Sequence, residues 1–374
     1  MLGYAFRRLA SAFGVLFVVA SLSFLMMRLA PGGPFDAEKP LAPAVERNLW
    51  KTYGMATDLA APNGGEVEVH LVGPHTEVTR GTPLLRYRDG SSVVSDRDGR
   101  VLLLMPTPGS RVEPGQVVGA WMTPLWQQYL STMRAYARLD FGVTFSSEGR
   151  DSVASYIARA LPVSLELGLW GIALALVMGV PAGLFAALKE GSWLDHGTMA
   201  LAMLGVSVSA IVLGPLLRLA LGSGDGPFDY GGWDSASKKV LPIATLGLIY
   251  AAYFARLSRA GLLEVIQQDY IRTARAKGLT ELQVVVRHAL RGALLPTVSF
   301  LGPATAGIVT GSVVVERIFN IPGISEYFVS AALNRDYPLV MGVVLVYSAL
   351  LVLLNLAVDL LYTALDPRVT YVER

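Results

Sequence analysis

Asp269-Tyr270-Ile271-Arg272-Thr273-Ala274-Arg275-Ala276-Lys277-Gly278-Leu279, followed by Arg287-His288-Ala289-Leu290 and Leu295-Pro296, is a basic, helix-forming stretch with a long apolar run on either side. Gly278 interrupts it where a turn between two short helices needs a positive φ. A charged knob carried between apolar segments is a surface offered to a soluble partner. A solvated basic loop near anionic lipid would carry the same charge. It would not account for the spacing of Ala274 and Gly278.

Outward from this stretch, apolar runs suited to crossing a bilayer are Leu9 to Met27, Pro162 to Leu188, Met199 to Leu217, Val240 to Ala255, Ala293 to Val315 and Leu339 to Val358. They predict six spans. The first is read as a retained span and not a signal peptide, because it is longer than a typical signal core and lacks a small-x-small cleavage site. The run Val240 to Ala255 is short, so its helix is expected to continue into the headgroups with Arg256 and Arg259 snorkelling to water. Lysine and arginine concentrate between Arg256 and Arg291, which places that loop in the cytoplasm. With six spans both termini are cytoplasmic and the long segment between spans one and two is external.

The chain has 374 residues, 53% hydrophobic and 16% charged, with a mean hydropathy of +0.48. Soluble domains carry roughly a quarter charged residues, so the composition argues against a purely soluble enzyme. Six spans of about 20 residues leave a polar surplus that loops alone do not need. A net charge of +2 gives no basic face for nucleic acid. There are no cysteines, and the four histidines His70, His75, His196 and His288 lack metal-ligand spacing. The sequence has no glycine-rich phosphate loop. No catalytic residue, metal site or bound cofactor is expected, and any energy source is a partner.

The polar surplus lies between Asp36 and Ala160, with fourteen acidic and thirteen basic residues. Within it Gly65 to Leu84 overlays Gly99 to Val118 at a constant offset of 34: Gly65 on Gly99, Val67 on Val101, Val69 on Leu103, Pro74 on Pro108, Val78 on Val112 and Gly81 on Gly115. Each copy alternates apolar residues, turns, and ends in V-x-x-G, which reads as paired short strands in a pseudo-twofold β-sandwich. The pattern resembles the biotinyl/lipoyl-like barrel-sandwich hybrid. In that family a lysine on the hairpin between halves carries the cofactor. Here the region is Arg86-Tyr87-Arg88-Asp89-Gly90-Ser91, and no lysine occurs between Lys51 and Lys189. A spacer or docking module is the expectation, with direct ligand binding as the alternative.

The basic stretch itself resembles the EAA coupling loop of ABC-importer permeases, in the form used by the oligopeptide/dipeptide family, where T-A-R-A-K-G-L and R-H-A-L recur. Other segments fit the same family: Arg7-Arg8 with Met27-Arg28-Leu29-Ala30-Pro31-Gly32, Asp140-Phe141-Gly142, Val315-Glu316-Arg317-Ile318-Phe319-Asn320-Ile321-Pro322-Gly323-Ile324, Asn334-Arg335-Asp336-Tyr337-Pro338 and Asp366-Pro367-Arg368. The resemblance covers residues 1–54 and about 122–374 and marks the B-type subunit. Arg272 stands where the general motif has glutamate, as is usual in this subfamily. The β-module is not part of the usual permease and reads as an insertion.

The resemblance implies an all-α polytopic membrane protein with the six-helix type I importer permease fold, interrupted by a small all-β extracytoplasmic domain. The expected division is 1–54 for the tail, first span and start of the external loop, 55–121 for the module, and 122–374 for an external helix and spans two to six, with the coupling loop at 256–292. The implied partners are a homologous C-type permease, two ABC ATPases that hold the ATP and magnesium, and an extracytoplasmic solute-binding protein. The implied location is the bacterial inner membrane. Arg272, Thr273, Ala274, Arg275, Ala276, Lys277 and Gly278 form the expected ATPase-coupling element. Pro322, Gly323, Asn334 and Arg335 are expected at the external gate or binding-protein contact. The competing classes are an export-linked or adaptor-type assembly, suggested by the β-module, and a passive channel or ion-coupled carrier.

Glu166, Arg218 and Asp359 lie in or near apolar runs, where a charge near the bilayer centre costs about 2.5 to 3.5 kcal/mol. They should face protein or water. Asp359 shares a helical face with Asn355, so the two are candidates for a polar pore position or for a bond between helices. Pro181, Pro215, Pro242 and Pro303 mark possible bends.

Overall fold

The computed structural model describes residues 2–29, 42–145, 151–222 and 227–365. Helices α1 (Leu2–Leu29) and α2 (Pro43–Thr52) precede eight strands: β1 (Ala56–Ala60), β2 (Gly65–His70), β3 (Thr76–Val78), β4 (Pro83–Tyr87), β5 (Ser92–Val94), β6 (Gly99–Leu104), β7 (Arg111–Val112) and β8 (Val117–Met122). Then come α3 (Leu125–Tyr136), α4 (Val153–Leu188), α5 (Trp193–Ser207), α6 (Ala210–Leu221), α7 (Ala236–Ile266), α8 (Asp269–Ala276) and α9 (Glu281–Val284). A π-helical turn at Val285–Ala289 leads into α10 (Leu290–Ala293), α11 (Leu295–Ile318), α12 (Ile324–Leu333) and α13 (Tyr337–Leu365). Contacts group these into two units: Met1–Val19, Tyr156–Ser330 and Val343–Arg374 in the first, Ala20–Ser155 with Ala331–Gly342 in the second.

The first unit is helical and centred on α7, which packs against α5, α6, α10 and α11. Small residues set the approach of α4 to α7. A β-carbon on Gly179 would collide with the carbonyl oxygen of Ala251, and one on Gly183 with that of Ala255, so the backbones touch where lipid supplies no hydrophobic drive and close packing must do so. Leu167, Leu241, Leu246, Ile308, Val315, Phe319 and Ile321 form a buried cluster beside them.

Among the described residues three helices are long and apolar enough to cross a membrane: Val153–Leu188, Ala236–Ile266 and Tyr337–Asp359. Two bent pairs raise the number to five, and Ala10–Met26 is a shorter apolar helix. The run expected as span three is not one rod. It divides into α5 and α6, which meet at 109°. The physical cause is local. Val208 adopts an extended conformation and Ser209 caps α6, its hydroxyl accepting from the Ile211 amide at 3.4 Å; serine favours such caps over helix interiors. A second bend of 45° separates Glu281–Ala293 from Leu295–Ile308.

Charges in the apolar runs have partners. Glu166 accepts from Lys239 Nζ at 2.6 Å and from Trp233 Nε1 at 2.7 Å. Arg218 donates to the Ile318 carbonyl at 3.0 Å and lies 4.1 Å from the Tyr230 ring centroid. Arg259, expected to snorkel, instead makes a two-point ion pair with Asp195, Nε to Oδ1 at 2.5 Å and Nη2 to Oδ2 at 2.7 Å. Asp195 is buried at the start of α5, so the pair ties α5 to α7.

The second unit contains the β-module. Two antiparallel four-stranded sheets run β1-β8-β6-β3 and β5-β4-β2-β7. The 34-residue repeat is carried into the ladders. Val78 pairs with Gly99 while Val112 pairs with Gly65, and Val67 pairs with Tyr87 while Val101 pairs with Trp121. Strands β3 and β7 each cross to the opposite sheet, so the two halves exchange a strand about a pseudo-twofold axis. Val67, Val78, Leu84, Tyr87, Val101, Val112, Val118 and Trp121 fill the space between the sheets. Burial pushes the Tyr87 phenol up from its ordinary range, and its hydroxyl donates to the Asn63 carbonyl at 2.8 Å. The hairpin at Arg86–Ser91 is closed by Asp89, which accepts from the Ser91 amide at 2.8 Å and hydroxyl at 2.6 Å.

Candidate coupling site

The basic stretch folds as two short helices around Gly278, whose φ is +79°. α8 is amphipathic over two turns. Ile271 and Ala274, three apart and therefore on one face, are buried with Leu262, Val284, Ala289, Ala293 and Ala187. Tyr270, Arg272, Thr273, Ala276, Lys277 and Gly278 are exposed. Of the seven expected coupling residues, Ala274 thus anchors the loop and the others form its outer surface.

Local bonds fix the shape of that surface. Thr273 donates its hydroxyl to the Asp269 carbonyl at 3.0 Å, and Arg272 lies 3.4 Å from the Asp269 carboxylate. Beyond Gly278, Thr280 and Gln283 form a reciprocal capping box, with Thr280 N to Gln283 Oε1 at 3.0 Å and Gln283 N to Thr280 Oγ1 at 3.4 Å. Arg275 reaches over the turn to Glu281 at 2.7 Å. Sequence reading missed Glu281, although an acidic residue six positions after an arginine, with a glycine between, is the available signal. The π-helical turn that follows presents exposed Val286, Arg287 and His288 beside buried Val285 and Ala289; such turns insert an extra residue and are frequent at functional sites.

The arrangement is a rigid handle. Its outer face offers an aromatic ring, the basic side chains of Arg272 and Lys277 and a hydroxyl, while its inner face is packed on α7 and the end of α4. Packed side chains thereby join α8 to two long apolar helices. No cluster of three or more His, Asp or Glu residues able to hold a metal ion occurs among the described residues.

The other expected positions lie elsewhere. Asn355 and Asp359 are half-buried on α13, and the side-chain oxygen of Asn355 lies 3.1 Å from where a β-carbon on Gly302 of α11 would stand. Pro322 is exposed and Gly323 buried in the first unit, whereas Asn334 and Arg335 are exposed in the second. Sequence reading did not single out what Gly323 touches. It sits against Glu316, which is 1% exposed and accepts from the Ser325 amide at 3.1 Å. Ser164 accepts from the adjacent Ile324 amide at 2.9 Å. The turn Asn320–Ile324 is thus fastened to α11 and α4.

Comparison with known proteins bears on the whole chain. The family model described as binding-protein-dependent transport system inner membrane component matches residues 179–371. The chain is 35% identical to the oligopeptide transport system permease protein OppB of Haemophilus influenzae, over 99% of this chain and 100% of the relative. It is 33% identical to the dipeptide transport system permease protein DppB of Bacillus subtilis, over 99% and 98% respectively. A solved structure of the MetNI methionine ABC transporter in an inward-facing form is similar at 22% identity and a TM-score of 0.46, covering 57% of this chain and 97% of that one. The match over residues 179–371 and the identity to relatives along nearly the full length establish that the chain belongs to the family of binding-protein-dependent transport system inner membrane components.

Proposed function

We propose that this chain is the B-type permease subunit of an ATP-driven importer for peptides or similar small solutes. It pairs with a C-type permease in the bacterial inner membrane, two cytoplasmic ATPases supply the energy, and an extracytoplasmic binding protein delivers the solute. The permease core has the type I fold with six spans: α1, α4, the bent pair α5–α6, α7, the segment from α9 through α11, and α13. Both termini and the loop 256–292 are cytoplasmic, and the β-module, which the aligned relatives span as well, is external and helps dock the binding protein. The chain binds no cofactor; ATP and magnesium belong to the ATPases.

The observation that carries this reading is the division of α8. Ile271 and Ala274 are locked into the helical unit while Tyr270, Arg272, Thr273 and Lys277 face outward on a fixed frame. α8 enters a groove of an ATPase, and ATP-driven closure of the ATPases moves these handles and the spans attached to them. The names of the relatives favour import over an adaptor-type assembly.

The absence of cysteine makes the test clean. Thr273→Cys, paired with single cysteines along the ATPase surface, is expected to cross-link in the purified complex and to do so in a nucleotide-dependent manner. Failure of any ATPase to copurify, together with no cross-link from this position, overturns the assignment.

A further inference from the structure

Three of the quoted motifs take no part in the coupling loop: the one containing Arg28, Asp140-Phe141-Gly142, and the one containing Tyr337-Pro338. Far apart in sequence, they meet in the second unit around one cavity of about 560 Å3. That volume is within the range of small-molecule sites.

The polar groups of this cavity are under-used. Arg28 Nη1 donates to the thioether of Met55 at 3.1 Å, and the Tyr136 hydroxyl to that of Met341 at 3.4 Å. Thioether sulfur is a weak acceptor, and a guanidinium has five N–H donors to place. Arg28 otherwise lies over the Phe24 ring, 5.4 Å from its centroid. Burial pushes the Tyr136 phenol well above its ordinary range, so it remains a donor. Asp140 accepts from the Gly142 amide at 2.9 Å with one oxygen. Ser131 and Thr132 spend their hydroxyl protons on the Gln128 carbonyl, at 2.9 and 2.7 Å, leaving their lone pairs as acceptors. One cavity is therefore lined by a cation with a phenol donor beside it, Arg28 with Tyr136, by an anion, Asp140, and by the acceptor oxygens of Ser131 and Thr132. The two charges are not paired with each other, nor with any other described residue.

We propose that this cavity binds the zwitterionic backbone of a short peptide, its terminal carboxylate on Arg28 and Tyr136 and its terminal ammonium on Asp140, Ser131 and Thr132. It is a staging site for substrate on the permease itself. The proposal rests on the importer reading and names a site for its substrate. A bare phosphate or an anionic headgroup would satisfy Arg28 but would face the Asp140 carboxylate, so a zwitterion fits the lining better.

The test uses the full chain copurified with its partner subunits, without binding protein, in lipid nanodiscs. L-alanyl-L-alanine is expected to bind, and amidation of its C-terminus to weaken binding about tenfold or more. In Arg28→Ala, amidation should have no further effect; N-acetylation should behave likewise with Asp140→Asn, the coupling expected of groups in contact. Continued copurification of the ATPases shows that each variant folds; if one does not, the blocked peptides on the unaltered chain still decide. Equal binding of free and blocked dipeptides overturns the proposal. So does displacement by inorganic phosphate that becomes tighter in Asp140→Asn. ATP-driven dipeptide uptake with no binding to the permease would remove this site and leave the importer reading intact, whereas absence of peptide uptake with binding protein present would remove that reading.

Discussion

Arg275 closes the turn at Gly278 by gripping Glu281 at two points, Nε to Oε1 at 2.7 Å and Nη2 to Oε2 at 3.2 Å. The pair is solvated, with the side chains 38% and 62% exposed, so it contributes about 1 kcal/mol or less. Arg275→Ala should leave thermal stability nearly unchanged and reduce uptake modestly. Gly278→Pro is different in kind. Its φ of +79° cannot be adopted by a ring fixed near −65°, so α8 must leave its frame. The complex is expected to assemble and hydrolyse ATP while uptake is lost. Parallel ATPase and uptake assays in proteoliposomes measure this, and normal uptake by the proline variant would exclude the coupling role.

Two alanines in α8 separate anchoring from contact. Ala274 is 5% exposed against Ile271 and its neighbours, whereas Ala276 is exposed. Ala274→Leu overpacks a filled site and should cost about 1 to 3 kcal/mol. Ala276→Leu should alter stability by about 0.5 kcal/mol or less. Thermal unfolding in detergent distinguishes them, and equal effects would contradict the burial pattern.

The ion pair between Asp195 and Arg259 ties α5 to α7. Asp195→Ala strands a guanidinium that is only 25% exposed, and a loss of about 2 kcal/mol is expected, discounted from the cost of a fully buried pair because water reaches the arginine. Asp195→Arg combined with Arg259→Asp should recover part of that loss. No recovery in the thermal midpoint would show that the contact is geometric and not ionic.

Gly323→Ala places a methyl group against the Glu316 carboxylate and the Ser164 hydroxyl. Uptake is expected to fall because the turn Asn320–Ile324 can no longer seat. The same change in a Glu316→Ala background should be better tolerated than in the unaltered chain. If the two substitutions are simply additive in uptake, the seating of this turn does not depend on that contact.

The β-module can be removed at a natural seam. Thr123 donates its amide to the Met55 carbonyl at 2.9 Å, so the chain enters and leaves at adjacent points. Excision of Ala56–Met122 with a short glycine linker should leave ATPase copurification intact and lower affinity for the binding protein. Unchanged affinity and uptake would reduce the module to a spacer.

What the sequence could disclose depended on whether the information was local or repeated. Val78 and Val112 occupy equivalent ladder positions because their copies fold alike, and a constant offset in sequence is a direct imprint of that symmetry. The turn between α8 and α9 was legible because Gly278 interrupts a basic, helix-forming stretch, whereas the burial of Ile271 was not. The break between α5 and α6 was hidden by averaging: Met199 to Leu217 is apolar throughout, and only Ser209 with its neighbours records the cap. The partner of Arg259 is 64 positions away, and the three motifs around Arg28 and Asp140 are spread along most of the chain. Hydropathy and spacing carry no sign of which distant groups will share a wall.

The pairing of Ala56 with Met122 at the mouth of the β1–β8 ladder also governs how the module answers to force. Tension that draws Met55 away from Thr123 loads the five pairs of that ladder one after another, as a zipper, and not all together in shear. The fold opposes compression with a filled interior but yields early to separation at its base. Separation of the two chain ends at the base would therefore be felt first as the peeling of β1 from β8, before the rest of the sheets was disturbed.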